Sequence, residues 1–164
     1  MQTLYYHQFM IKGHTYILAA TTKGLAFVGS VDGDLSEIND FFEEVELIDN
    51  ESKLQKAAEE LSKYLSNQSE TFDLKLDVTG TSFQESVWQA LEKIPYGEVR
   101  SYTQIAEEVG KPKAVRAVGS AIGKNPVLMV IPCHRVVTKN GKIGQYRGGT
   151  AMKKDLLTLE GHLK

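Results

Sequence analysis

The sequence predicts an α/β chain, more narrowly α+β, in two lobes. A small N-terminal lobe carries a β-hairpin or sheet and a helix; a mostly helical C-terminal lobe carries a helix-turn-helix of winged-helix-like character. Three observations lead there. Two β-rich runs flank a short turn within the first 30 residues, and short helical patterns punctuated by Gly and Pro dominate after residue 80. The charge also changes sign near residue 80: residues 1–80 sum to −8 and residues 81–164 to +6, with all four arginines in the second part. The expected domains are therefore 1–79, acidic and structural, and 80–164, which carries the chemistry. A chain of 164 residues, 41% hydrophobic and 24% charged, is long enough to bury a real core.

In chain order, "HTYILAATTKGLAFVGS" reads as a hairpin, with strands at 16–20 and 25–28 around a Thr-Lys-Gly turn. "SKLQKAAEELSKYLS" reads as an amphipathic helix, with Leu54, Ala57, Ala58, Leu61 and Leu65 on one face and Ser52 and Gln55 spaced as a capping box. The segment "TGTS" marks the lobe boundary. Ser82 and Glu85 are spaced to cap the next helix, which runs through Val87, Trp88, Ala90, Leu91 and Ile94 to "PYG", with Trp88 in the core. A short helix at 102–109 stops at Gly110, and a second, rich in Ala and Gly, begins near Lys113; the pair suggests a helix-turn-helix. The apolar run 127–131 reads as a buried strand, "RVVTKNGKIGQY" as a hairpin turning at Asn140-Gly141, and 151–159 as a last helix ended by Gly161.

Residues 110–154 hold ten Lys and Arg without one Asp or Glu, which points to a polyanion partner such as nucleic acid. Lys111, Lys113, Arg116 and Lys124 sit on the turn and second helix, and the small residues there would let a duplex approach closely. No stretch reaches the roughly 20 apolar residues of a membrane span, and "MQTLYYHQFM" lacks the pattern of a secretory signal, so the expectation is a cytoplasmic protein with no membrane partner. His7 and His14 read as surface or satisfied core residues. A lone cysteine forms no internal disulfide, and no Cys/His spacing suits zinc; no metal and no cofactor are expected.

That cysteine, Cys133, sits in "VIPCHRVV". Lone cysteines are usually buried and inert. A reactive one needs access and a partner that stabilises its thiolate. His134 is adjacent, but neighbours on an extended segment face opposite ways, so contact requires a bridging water or a bend at Pro132. Glu160 is a candidate to orient the imidazole.

"IPCHRVV" resembles the active-site signature of the O6-alkylguanine-DNA alkyltransferases, and "FQESVWQAL", "IPYGEVRSYTQIA", "AVRAVGSAIGKNP", "GQYRGG" and "KKDLLTLEG" match that family in order. The match spans residues 80–162; the first lobe is similar only in size and character. Within the family it is most similar to the short bacterial forms.

The resemblance implies repair of O6-alkylguanine in double-stranded DNA, and of O4-alkylthymine. The reaction is base flipping followed by irreversible transfer of the alkyl group to Cys133, once per protein molecule. It further implies that His134 takes the thiol proton through a water, Glu160 supports His134, Asn125 holds the site together, and Tyr102 contacts phosphate and protonates the leaving guanine. Arg116 would fill the gap left by the flipped base, with Lys113, Ala114, Ala117, Lys124 and Arg135 also facing DNA through the minor groove with little sequence preference. Backbone groups at Cys133 and Val136, together with Tyr102, Tyr146, Arg147 and Gly148, would line the guanine pocket; Arg147, where some members carry a small hydroxyl residue, could instead bind phosphate. The protein is expected to act as a monomer. The alternatives are a non-catalytic binder of alkylated DNA, a helix-turn-helix regulator with a buried cysteine, and a cysteine hydrolase. Transfer to Cys133, sequence-specific binding to undamaged DNA, and turnover beyond one equivalent discriminate them.

Overall fold

A computed structural model describes residues 1–163 of the chain, which is mixed α/β and divides into two compact units between Val78 and Thr79. No helix among the described residues is long and apolar enough to cross a membrane.

In the first unit a four-stranded sheet has the order β3-β2-β1-β4, formed by β1 (Gln2–Ile11), β2 (His14–Ala20), β3 (Leu25–Val28) and β4 (Val45–Asp49). β1 and β2 pair antiparallel through a turn in which Lys12 and Gly13 both take positive φ, and β4 joins the far side of β1 in parallel. The β2–β3 hairpin expected from the sequence is present; β1 and β4 are additions that sequence reading missed. Leu4, Ile17, Ala19, Ala26, Phe27 and Ile38 form the core of one layer, with a 3-10 turn at Leu35–Asp40 supplying Ile38. His7, half-buried, and His14, exposed, face Asp49 and Asp32, at 2.7 and 2.8 Å.

Helix α1 (Glu51–Leu65) packs against β1 and β2. Its cap is Asn50, whose side chain accepts the Lys53 N–H, and not the Ser52/Gln55 box expected from spacing. The buried stripe is Leu54, Ala57, Ala58, Leu61 and Tyr64; Leu65, one position on, is only half-buried. The segment after α1 returns beside β3, where Leu25 N–H donates to Lys75 O at 2.9 Å. Gly24 permits this approach, since a Cβ there would lie 2.7 Å from Lys75 O and 2.9 Å from Leu76 C. Gly24→Ala is therefore expected to destabilise the protein by about 1–3 kcal/mol, read as a lower denaturant midpoint with unchanged slope.

In the second unit α2 (Ser82–Glu92) is capped one residue earlier than expected. Thr81 and Gln84 form the reciprocal capping box, because Thr81 and not Ser82 holds the extended conformation that a cap requires. Trp88 is buried and donates Nε1–H to Ala121 O at 2.9 Å. This bond pins α2 to α4 (Val115–Gly123), which follows α3 (Tyr102–Glu108) after a turn at Gly110 with φ 78°. Ser101 and Gln104 cap α3 with a second box.

The run 127–131 is not the strand its apolar content suggested. It is a buried turn, with Met129 at φ 72°, whose backbone groups pair within the turn and with Asn125. The chain then enters a 3-10 turn at Cys133–Arg135 and a two-residue strand, β6 (Val136–Val137). β6 pairs in parallel with β5 (Arg100–Ser101), so the expected second hairpin is absent, although Gly141 does occupy a turn at φ 82°. Helix α5 (Thr150–Leu159) ends at Glu160, with Gly161 at φ 83° behind it.

Candidate active site

Cys133 is placed by the turn that precedes it. Asn125, itself buried, spans that turn: Oδ1 accepts the Val127 N–H at 2.9 Å, while Nδ2 donates to Ile131 O at 2.9 Å and to Cys133 Sγ at 3.2 Å. One side chain thus satisfies backbone groups that a neighbouring strand would otherwise serve, and its remaining donor faces the sulfur. Burial pushes the Cys133 thiol above its ordinary pKa; the Asn125 donor and the positive charges of Arg147 and Lys153 oppose that rise.

The 3-10 turn answers the problem of adjacent residues facing opposite ways, since Cys133 and His134 are not on an extended segment. His134 is fully buried, with Nε2 2.7 Å from Glu160 Oε2 at the end of α5. The carboxylate accepts, so Nε2 carries the proton and Nδ1 is the basic nitrogen of a neutral ring. Desolvation holds His134 below its ordinary pKa against the opposing effect of Glu160.

Arg135 was expected to face DNA. It is instead buried and grips the same carboxylate: Nε donates to Glu160 Oε1 at 2.8 Å and Nη2 to Oε2 at 3.0 Å, while Nη1 donates to Ile94 O at 2.7 Å. Bidentate pairing of this kind satisfies a buried acid, which would otherwise be very costly.

Sγ opens onto a pocket of about 620 Å³ lined by Tyr102, Arg116, Gly119, Ser120, Ile122, Gly123, Cys133, Thr138, Gly144, Gln145, Tyr146 and Arg147. Tyr102, at the start of α3, is held above its ordinary pKa by burial first and by Cys133 second, so it keeps its proton. Two expected lining residues lie behind the wall. Val136 is fully buried and its carbonyl accepts a bond from Lys153 Nζ, while Gly148 underlies Tyr146, where a Cβ would come within 2.9 Å of Cε2. Arg147 lines the pocket, but Nε donates to Asn125 O at 3.2 Å and Nη2 to Pro126 O at 3.1 Å, so its guanidinium braces the turn.

On α4, Arg116, Ala117 and Ser120 are exposed, as are Lys113 before the helix and Lys124 after it; Ala114 is the half-buried N-cap. A Cβ at Gly119 or Gly123 would meet nothing within 4 Å, so the fold itself does not require these glycines. Their bareness leaves the helix surface beside the pocket free for close approach. Sequence reading missed both as pocket residues, together with Ser120, Thr138, Gly144 and Gln145, and it missed the buried Lys153 beside them.

Two family models divide the chain between them. The 6-O-methylguanine DNA methyltransferase ribonuclease-like domain matches residues 4–78, and the DNA binding domain of the same methyltransferase matches residues 82–162. The chain belongs to the 6-O-methylguanine DNA methyltransferase family. Relatives include the inducible methylated-DNA--protein-cysteine methyltransferase of Bacillus subtilis, 45% identical over 96% of this chain and 90% of its own. Another is the methylated-DNA--protein-cysteine methyltransferase of Methanosarcina acetivorans, 41% identical over 96% and 99%. Among solved structures, the O6-methylguanine methyltransferase of Mycobacterium tuberculosis superposes with a TM-score of 0.82 at 35% identity, covering 96% of this chain and 92% of that one. A structure of the same tuberculosis protein in complex with DNA gives 0.82 at 34%, covering 98% and 94%. Both halves of the family's architecture are therefore represented in this chain.

Proposed function

We propose that this protein repairs O6-alkylguanine in double-stranded DNA by flipping the damaged nucleotide into the pocket and transferring its alkyl group to Cys133. The observation that carries this reading is the meeting of one thiol, a neutral imidazole backed by a buried carboxylate, and a pocket that opens beside an exposed basic helix. An alkylated base edge is reachable by a side chain only when the nucleotide leaves the stack.

His134 Nδ1 takes the thiol proton through one water. Sγ then attacks the alkyl carbon, an S–C bond forms, and the C–O6 bond breaks with its electron pair passing into the guanine ring. The Tyr102 hydroxyl supplies a proton to ring N3, and the proton on His134 makes good that loss through solvent. The resulting thioether has no carbonyl for water to attack, so the protein reacts once. Arg116 fills the space of the flipped base, and Lys113, Lys124 and the small residues Ala114 and Ala117 of α4 meet the backbone along the minor groove. We place the protein in the cytoplasm, where glutathione keeps an acceptor thiol reduced.

An oligonucleotide carrying labelled O6-methylguanine tests the reading: label should appear on the Cys133 peptide and stop at one equivalent. Absence of transfer with Cys133 intact, or turnover beyond one equivalent, would overturn it. In the same assay Arg116→Ala should slow reaction with duplex lesions roughly tenfold or more, since about 1.4 kcal/mol of lost compensation for flipping is tenfold in rate. Its effect on single-stranded lesions should be much smaller.

A further inference from the structure

Lys153 is the one lysine buried among the described residues. It lies on α5 beside the exposed Lys154. Its ammonium donates to Val136 O at 2.6 Å and to Gln145 O at 3.1 Å, and sits 6.0 Å from the centre of the Tyr102 ring. Val136 is three residues beyond Cys133, and Gln145 lines the pocket. The ammonium therefore joins the acceptor turn to the opposite wall.

The charges around it do not cancel. Glu160 is the buried carboxylate of this cluster, and Arg135 and His134 already occupy both of its oxygens; no carboxylate lies within ion-pairing distance of Lys153 among the described residues. With Cys133 as a thiol and His134 neutral, the fully buried groups carry one excess positive charge. With Cys133 as a thiolate they carry none.

We propose that Lys153 is a positioning residue for alkyl transfer, whose ammonium ties the Gln145 wall to the Val136 backbone and supplies the counter-charge against which Cys133 ionises. The proposal rests on the alkyl-transfer reading of the site. Desolvation lowers the Lys153 pKa to about 8 while the Cys133 charge opposes that fall, so the group is still an ammonium at neutral pH. The other groups that bear on Cys133 are His134 and Arg135 on its own turn, Tyr102 on α3, Arg147 on the loop and Glu160 after α5. Of these Arg135 is committed to Glu160, and Arg147 is only partly buried.

Three substitutions separate tether from charge: Lys153→Gln keeps a donor without charge, Lys153→Met removes both, and Lys153→Arg keeps the charge. Thiolate absorbance near 240 nm, followed against pH without DNA, should show Cys133 ionising about one pH unit or more higher in the Gln and Met variants, and close to wild type in the Arg variant. Alkyl transfer at pH 7 should fall about tenfold or more in the two neutral variants and recover as pH is raised. A Cys133 titration in those variants that matches wild type overturns the proposal. If neither folds, the wild-type protein decides: an ammonium signal for Lys153 Nζ by nitrogen-15 resonance at pH 7 supports it, and a neutral amine overturns it. Because the titration needs no DNA, failure of wild-type transfer would strike the functional reading and not this one.

Discussion

Cys133→Ser is expected to reduce alkyl transfer to background, a loss on the order of 10⁴-fold or more, while duplex affinity stays within about threefold of wild type. The reason lies in what the site can ionise. His134 is held neutral by burial and can accept a proton from a thiol, but an alcohol is far too weak an acid for an imidazole to deprotonate to any useful extent. The pocket itself should survive, because Asn125 Nδ2 donates to Sγ and would donate equally to a serine oxygen. The exposed Lys113, Arg116 and Lys124 on and beside α4, to which the proposed function assigns duplex binding, are untouched by the change. The check is the labelled-oligonucleotide assay alongside fluorescence anisotropy. Serine-dependent transfer at a measurable fraction of the wild-type rate would mean that proximity and not thiolate chemistry drives the reaction. Loss of affinity would mean that Cys133 supports the fold of the pocket.

Burial has two effects on this cysteine that oppose each other. It raises the thiol pKa, which keeps Cys133 inert towards bulk solvent, yet nucleophilic attack requires the thiolate. The surrounding groups reconcile the two. A donor from Asn125 and the charges of Lys153 and Arg147 favour ionisation, while the charge of the Glu160 carboxylate is paired by Arg135. The reagent that reaches the sulfur must come through the pocket, so selectivity rests on what can enter it.

Much of this was legible in the sequence because local patterns there carry physical constraints. The β2–β3 hairpin, α1, α3 and α5 follow from periodicity and turn residues, while the meeting of Asn125 with Cys133 and of His134 with Glu160 was implied by the family resemblance. The failures have specific causes. β1, with mixed burial along "QTLYYHQFMI", lacks the alternation that marks a strand, because it sits between two neighbours and is half-buried over much of its length. The run 127–131 has the composition of a buried strand, but Asn125 supplies the hydrogen bonds and a turn results; no pattern of apolar residues reports on a partner that is a side chain. Arg135 was expected to face DNA, whereas its bidentate partner lies 25 residues away, beyond the reach of any local pattern. Lys153 could have been found. Met152, Lys153, Leu156, Leu157 and Glu160 form one helical stripe, and a lysine within an apolar stripe is a buried lysine or an error of phase.

Glu160→Gln is expected to cost about 3–5 kcal/mol of stability and to reduce transfer sharply, because the substitution removes the charge that two buried groups share. Arg135 would be left with its guanidinium in a dry site and only Ile94 O as a full partner. The amide can also present its NH₂ to His134 Nε2, which moves the ring proton to Nδ1 and removes the base that Cys133 needs. For a unit of this size the stability loss corresponds to a fall in melting temperature of about 10 °C or more. A pH dependence accompanies it. The folded-state pKa of His134 lies below its ordinary value of 6.5, so the unfolded chain binds more protons, and wild-type stability should decline as pH falls below about 6.5. Pairing Glu160→Leu with Arg135→Met separates fold from chemistry. Exchanging a buried ion pair for apolar side chains is often neutral or stabilising, so the double variant should recover most of the melting temperature lost in Glu160→Gln. Transfer should remain low, since nothing then fixes the His134 tautomer. If the double variant instead regained wild-type transfer, Glu160 would be serving the fold alone, and His134 would orient itself without it.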